Sequence, residues 1–159
     1  MKTNKLFILA TAIMLVLSAC KANLSRNDDG TVTVETSITQ EQLQEVISSA
    51  IADPLIQDLT VSLQNGYVSV TGTRQRLNDA SKTDTMSFRL DLGVSNGELT
   101  ASISDAQIDG IAIEQNRVDN WNQTIANRIA MIGGGNRNAT LQSVSVTPEQ
   151  VTMTWLVNR

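Results

Sequence analysis

The sequence predicts an α+β domain: a mostly antiparallel sheet with two amphipathic helices packed on it, in the order β-α-β-β-β-β-α-β-β. Three observations predict it. Two stretches repeat apolar residues at helical spacing, one following Thr39 and one following Asn116. Several stretches alternate apolar with polar residues, as strands with one buried face do. Asn65-Gly66 and Asn96-Gly97 fall between such stretches, where hairpin turns belong, and hairpins join antiparallel neighbours.

Val32 and Val34 place a short strand over 31–35. The first helix starts on a capping box. Thr39 can accept from the backbone three residues on, and Gln42 can reach back. Ile38 before the cap and Leu43 inside it form a hydrophobic staple. Leu43, Val46, Ile47, Ala50 and Ile51 then share one helix face, and Asp53-Pro54 ends the helix.

Leu59, Val61 and Leu63 alternate towards Asn65-Gly66, and Val68 and Val70 return, with Gly72 as a bulge. Residues 74–82 read as a polar connection. Met86, Phe88, Leu90, Leu92 and Val94 form a long strand, and Leu99, Ala101 and Ile103 return after Asn96-Gly97. The stretch 105–110 is less regular, and Ile108, Ile111 and Ile113 carry apolar surface onward. Val118, Trp121, Ile125, Ile129 and Ile132 set the face of the second helix, which Gly133-Gly134-Gly135 stops. That triplet follows a helix, whereas a phosphate-cradling loop precedes one. Val144 and Val146, a turn over 147–150, and Val151, Met153, Trp155 and Val157 form a closing hairpin. Trp155-Leu156-Val157 is apolar on both faces of its strand. One face therefore asks for a second cover from a ligand, a partner or the Val32 strand.

The chain opens with Lys2 and Lys5, then an apolar run of about twelve residues from Leu6 to Leu17. That is too short for a bilayer core of roughly 30 Å at about 1.5 Å per residue, and reads as an export signal. Leu17-Ser18-Ala19-Cys20 resembles the lipobox of bacterial lipoproteins: an aliphatic residue, two small residues and cysteine. The resemblance implies cleavage between Ala19 and Cys20 and a diacylglycerol anchor with further acylation, such as palmitate, on Cys20. It divides the chain into a signal peptide (1–19), a lipidated flexible tether (20–30) and one α+β domain (31–159). It also implies the extracytoplasmic side of a bacterial envelope. Lys21 is not the aspartate that favours inner-membrane retention in diderms. The expectation is the periplasmic face of the outer membrane in a diderm, and the cell membrane in a monoderm.

The signal peptide holds two of twelve basic residues and none of sixteen acids, so the remainder has a net charge near −6. Such a domain has no basic footprint for nucleic acid and no attraction to anionic headgroups, leaving tethering to the lipid. The chain contains no histidine and only one cysteine, Cys20. This removes the usual general base, the commonest metal ligand and, after lipidation, thiol chemistry. Asp105 with Asp109 is the nearest carboxylate pair, and Ser81-Lys82 the nearest serine–lysine pair. A turn explains the first, and neighbours on an extended strand point apart, which disqualifies the second. Asn27-Asp28-Asp29 lacks the further oxygens of a calcium loop. No enzyme, cofactor or metal is expected.

The order of elements over 31–159, with the Thr39 helix start, resembles tubular lipid-binding (TULIP-like) envelope proteins of the YceB-like and LmeA-like groups. That resemblance implies an apolar groove between helix and sheet for a lipid or other amphiphile, lined by Leu43, Ile47, Ile51, Phe88, Leu90, Trp121, Ile125, Met153 and Trp155. The same residues build an ordinary core. The sequence therefore leaves a second reading open: a non-enzymatic structural or interaction lipoprotein docking onto an envelope assembly, with Leu156 and the last strand as candidate surface.

Overall fold

A computed structural model describes residues 22–135 and 138–158. The expected signal peptide, the expected cleavage site between Ala19 and Cys20 and the expected lipidation of Cys20 fall outside the described residues. The strands are β1 (Asn23–Arg26), β2 (Val32–Ile38), β3 (Ile56–Leu63), β4 (Val68–Arg76), β5 (Asp79–Ser95), β6 (Glu98–Ile108), β7 (Ile111–Ala112), β8 (Ala139–Val146) and β9 (Val151–Val157). The helices are α1 (Gln40–Ile51) and α2 (Gln115–Ile132). The class is α+β, and all the strand pairings are antiparallel.

The strands fall into two sheets, where alternation alone reads as one. Their orders are β1-β2-β9-β8 and β3-β4-β5-β6-β7. In the first, β2 pairs with β9 over its whole length, Val32 opposite Val157 and Ile38 opposite Val151, so the chain's early and last strands lie side by side. The second is a meander built on β5, whose Met86, Phe88 and Leu90 point to one buried face.

Local chemistry sets the element ends. Thr39 accepts from the Gln42 amide, and Gln42 Oε1 accepts from the Thr39 amide at 3.0 Å, completing the capping box of α1. Beyond α2, Gly134 takes a left-handed φ of 89° and the Gly135 amide donates to the Ala130 carbonyl at 2.8 Å. This closes the helix by a Schellman-type bond. Asn96 and Gly97 both have positive φ, the two-residue turn that suits the twist of a hairpin.

Three sequence expectations need correction, and a fourth gains its detail. The expected tether contains β1, a strand paired with β2 from Asn23–Glu35 to Arg26–Val32. Its side chains are exposed, so backbone pairing forms it, with an Asx turn in which Thr31 N and Oγ1 donate to Asp29 Oδ1. The polar segment 74–82 continues β4 and β5 on either side of a tight turn at Leu77-Asn78, because polarity on an exposed sheet face does not oppose strand formation. Gly72 is in regular register; the bulge lies on β3 at Gln57, and a side chain at 72 would press the Asp58 carbonyl. The irregular stretch 105–110 is a bulge at Asp105, with φ of 53°, followed by a tight turn at Asp109-Gly110.

One cluster of buried side chains draws on both helices and both sheets. Backbone bonds also join the sheets: Gly66 N to the Val146 carbonyl at 2.9 Å and Leu141 N to the Gly97 carbonyl at 2.8 Å. Both helices bond edges of the five-stranded sheet. Gln44 and Gln40 of α1 accept from Val61 N and Leu63 N of β3 at 3.4 Å each. Asn122 of α2 accepts from Ile103 N of β6 at 2.8 Å. These amides satisfy strand groups that would otherwise template further pairing.

Candidate functional site

The nine residues of the expected groove all converge in the shared core. Leu43 and Ile47 come from α1, Phe88 and Leu90 from β5, Trp121 and Ile125 from α2, Met153 and Trp155 from β9; Ile51 ends α1. Water reaches none of the surface of Leu43, Ile47, Leu90, Ile125 or Met153, and no more than 6% of Ile51, Phe88, Trp121 or Trp155. An open cavity would leave its wall accessible, whereas here the wall is covered by other side chains. Phe88 and Trp121 lie 6.1 Å apart between ring centroids. Trp155 Nε1 donates to Thr36 Oγ1 at 3.3 Å, and that hydroxyl donates to the Gly133 carbonyl at 2.7 Å. Ile51 also borders a surface depression of about 250 Å³, with Gln44, Asp53 and Leu59.

Beside that depression is an arrangement sequence reading takes only as a helix stop. Asp53 Oδ1 accepts from Leu55 N at 2.9 Å, and Oδ2 accepts from Arg74 Nε at 2.9 Å and Arg117 Nη2 at 2.8 Å. Arg117 also lies 5.0 Å from the Trp121 ring centroid. Burial pushes the Asp53 carboxyl upward, but the Leu55 amide and the two guanidiniums outweigh it and hold its pKa below the ordinary value. Both oxygens are committed to donors, so the group is a structural clasp joining α1's exit, β4 and α2. The arginines lie 21 and 64 residues away, beyond any local sequence signal.

Asp109 pairs with Arg76 at 3.2 Å, and Arg76 also binds Asp84, at the mouth of a cleft of about 520 Å³. Asp105 sits in the bulge of β6. Asp79 accepts from Ser81 Oγ at 2.6 Å and pairs with Lys82 at 3.1 Å, so this one acid engages both members of the serine–lysine pair. Asn27 bonds Thr31 and Thr33, tying down the Asn27–Asp29 turn. Among the described residues no three or more histidine, cysteine or acidic side chains are grouped to hold a metal ion, and no helix is long and apolar enough to cross a membrane.

Exposed apolar side chains lie at two ends of α2. Ile111 and Leu77 are near its N-terminal end, where Arg76, Ile111 and Arg117 border one cleft. Met131 and Ile132 end it, facing a groove of about 380 Å³ shared with Val46, Glu45 and Arg128. On β9, Trp155 faces the core while Leu156 faces outward, half-buried between Thr33 and Thr140. The Val32 strand runs beside β9 and not across that outer face. No family model matches the chain, and no curated protein or solved structure matches it.

Proposed function

We propose that this chain is a bacterial lipoprotein, held on the extracytoplasmic side of a membrane by lipid on Cys20, whose folded domain is a non-enzymatic docking module of the envelope. The lipobox Leu17-Ser18-Ala19-Cys20 supports the anchor. Two or more acyl chains give the stable attachment that one does not. One observation favours docking over carriage of a lipid. The residues that would line a groove are packed against one another, with Leu43, Ile47, Leu90, Ile125 and Met153 inaccessible to water. A carrier needs a standing apolar cavity, typically a few hundred cubic ångströms.

Two measurements test the reading. In detergent phase partitioning, the chain from a bacterial envelope is expected in the detergent phase with an acylated Cys20 by intact mass, and Cys20→Ser in the aqueous phase. Native mass spectrometry of the domain is expected to give a clean apo mass that added phospholipid leaves unchanged. A stoichiometric lipid that survives purification overturns docking in favour of carriage.

A further inference from the structure

The position of β1 sets which end of the domain lies nearest to an anchor on Cys20. Asn23 pairs with Glu35, and β1 runs antiparallel to β2. Going upstream from Asn23 therefore leads along β2 towards Thr36. Cys20 is three residues before Asn23, so their Cα atoms are at most about 11 Å apart at roughly 3.8 Å per residue.

The C-terminal end of α2 docks at that same place. Thr36 Oγ1 donates to the Gly133 carbonyl at 2.7 Å, and a side chain on Gly134 would also touch Thr36. Just before these glycines stand Met131, 69% exposed, and Ile132, 41% exposed. With Val46 of α1 they form the apolar side of the groove described above. Leu24 of β1 is exposed too, and it lies opposite Val34, on the sheet face that carries Thr36. Of the other exposed apolar side chains, Leu77 follows Arg76 on the β4–β5 turn, Val94 is on β5, and Ile111 borders the cleft at the opposite end of α2 with Arg117; Arg117 to Met131 is fourteen residues, or about 21 Å of helix.

We infer that Met131 and Ile132, with Leu24, form a membrane-contact shelf that rests in the lipid interface beside the acylated Cys20 and orients the domain on the bilayer. The inference rests on the anchor proposed above. The occupant is the anchoring bilayer because the anchor delivers this surface to it. With the chain attached within about 11 Å of Asn23, the shelf meets lipid at a high effective concentration, where a small apolar contact suffices. An acidic domain gains no headgroup attraction, so apolar contact is the means left to it. A chain tethered by a long flexible linker would show no such preference; β1 shortens that linker to a few residues.

The test uses the full-length chain, matured in bacteria and reconstituted into phosphatidylethanolamine–phosphatidylglycerol vesicles. Because Cys20 is the only cysteine and is blocked when acylated, Met131→Cys and Ile111→Cys each accept one environment-sensitive fluorophore. A lipid-borne nitroxide is expected to quench the label at position 131 severalfold more than the label at 111. Ile132→Asp, an exposed change that should leave near-ultraviolet dichroism intact, is expected to abolish that difference. An acylated Cys20 with equal quenching at the two positions, or stronger quenching at 111, overturns the shelf and leaves the anchor standing. A label at 131 shielded from both lipid and aqueous quenchers, with a dimer mass, overturns it in favour of a second copy. Absence of acyl mass on Cys20 removes the anchor itself, and the inference with it.

Discussion

A methyl group on Gly133 would collide with Met153 Cε, come within 2.9 Å of its sulfur and lie 3.2 Å from the Ile129 carbonyl. Met153 is fully buried on β9, so it has no solvent to swing into. Gly133→Ala is expected to cost about 1–3 kcal/mol in urea unfolding, the range for overpacking. In a Met153→Ala background the same Gly133→Ala change should cost less than it does in the wild type, since the two residues share one contact. Asp53 makes a prediction that depends on pH. Its folded pKa is depressed, so its contribution is present above the unfolded pKa and disappears as pH falls through the folded value. Asp53→Asn is expected to lose about 2 kcal/mol at neutral pH, typical of charged hydrogen bonds. That gap should close as the wild-type carboxyl protonates in acid. A gap that persists unchanged in acid would assign the effect to packing.

At the scale of elements, legibility followed sequence distance. The capping box of α1 could be read because Thr39 and Gln42 are three residues apart, and the Asn96-Gly97 turn because its conformation is a property of the two residues themselves. The amides that satisfy the sheet edges could not be read. Gln44 reaches Val61, Gln40 reaches Leu63 and Asn122 reaches Ile103 across 17, 23 and 19 residues. On a helix these side chains look like ordinary solvated positions. Asn122→Ala leaves the Ile103 amide without that acceptor and is expected to cost about 1–2 kcal/mol by chemical denaturation. The strand β1 was illegible for a related reason: Asn23-Leu24-Ser25-Arg26 buries no side chain, so nothing alternates. For the same reason its removal should matter little to stability. A domain beginning at Thr31 is expected to unfold within about 1 kcal/mol of the longer chain, as surface changes do.

At the scale of the molecule, alternation says that each strand has a buried face, but not which strands are neighbours. The nine residues nominated as a groove could therefore be read as inward-facing, while whether they surround space or one another depends on how two sheets and two helices close together. That closure makes β2 and β9 partners across more than a hundred residues of chain, Val32 with Val157. The four-stranded sheet cannot form until the last strand is present. It also shares its core with the five-stranded sheet, and Gly66 binds Val146 and Leu141 binds Gly97 across the two. Unfolding is thus expected as one cooperative transition. Trp121, packed on Phe88, reports on the helix and the larger sheet; Trp155, bonded to Thr36, reports on the smaller. Tracked separately in single-tryptophan variants, Trp121→Phe and Trp155→Phe, the two probes should give coincident denaturant curves with far-ultraviolet dichroism. Leu141 is buried on β8 beside the inter-sheet bond, so Leu141→Ala should lower both curves together by about 2–5 kcal/mol. If only the Trp155 curve moved, the sheets would be separate folding units and the shared core would not couple them.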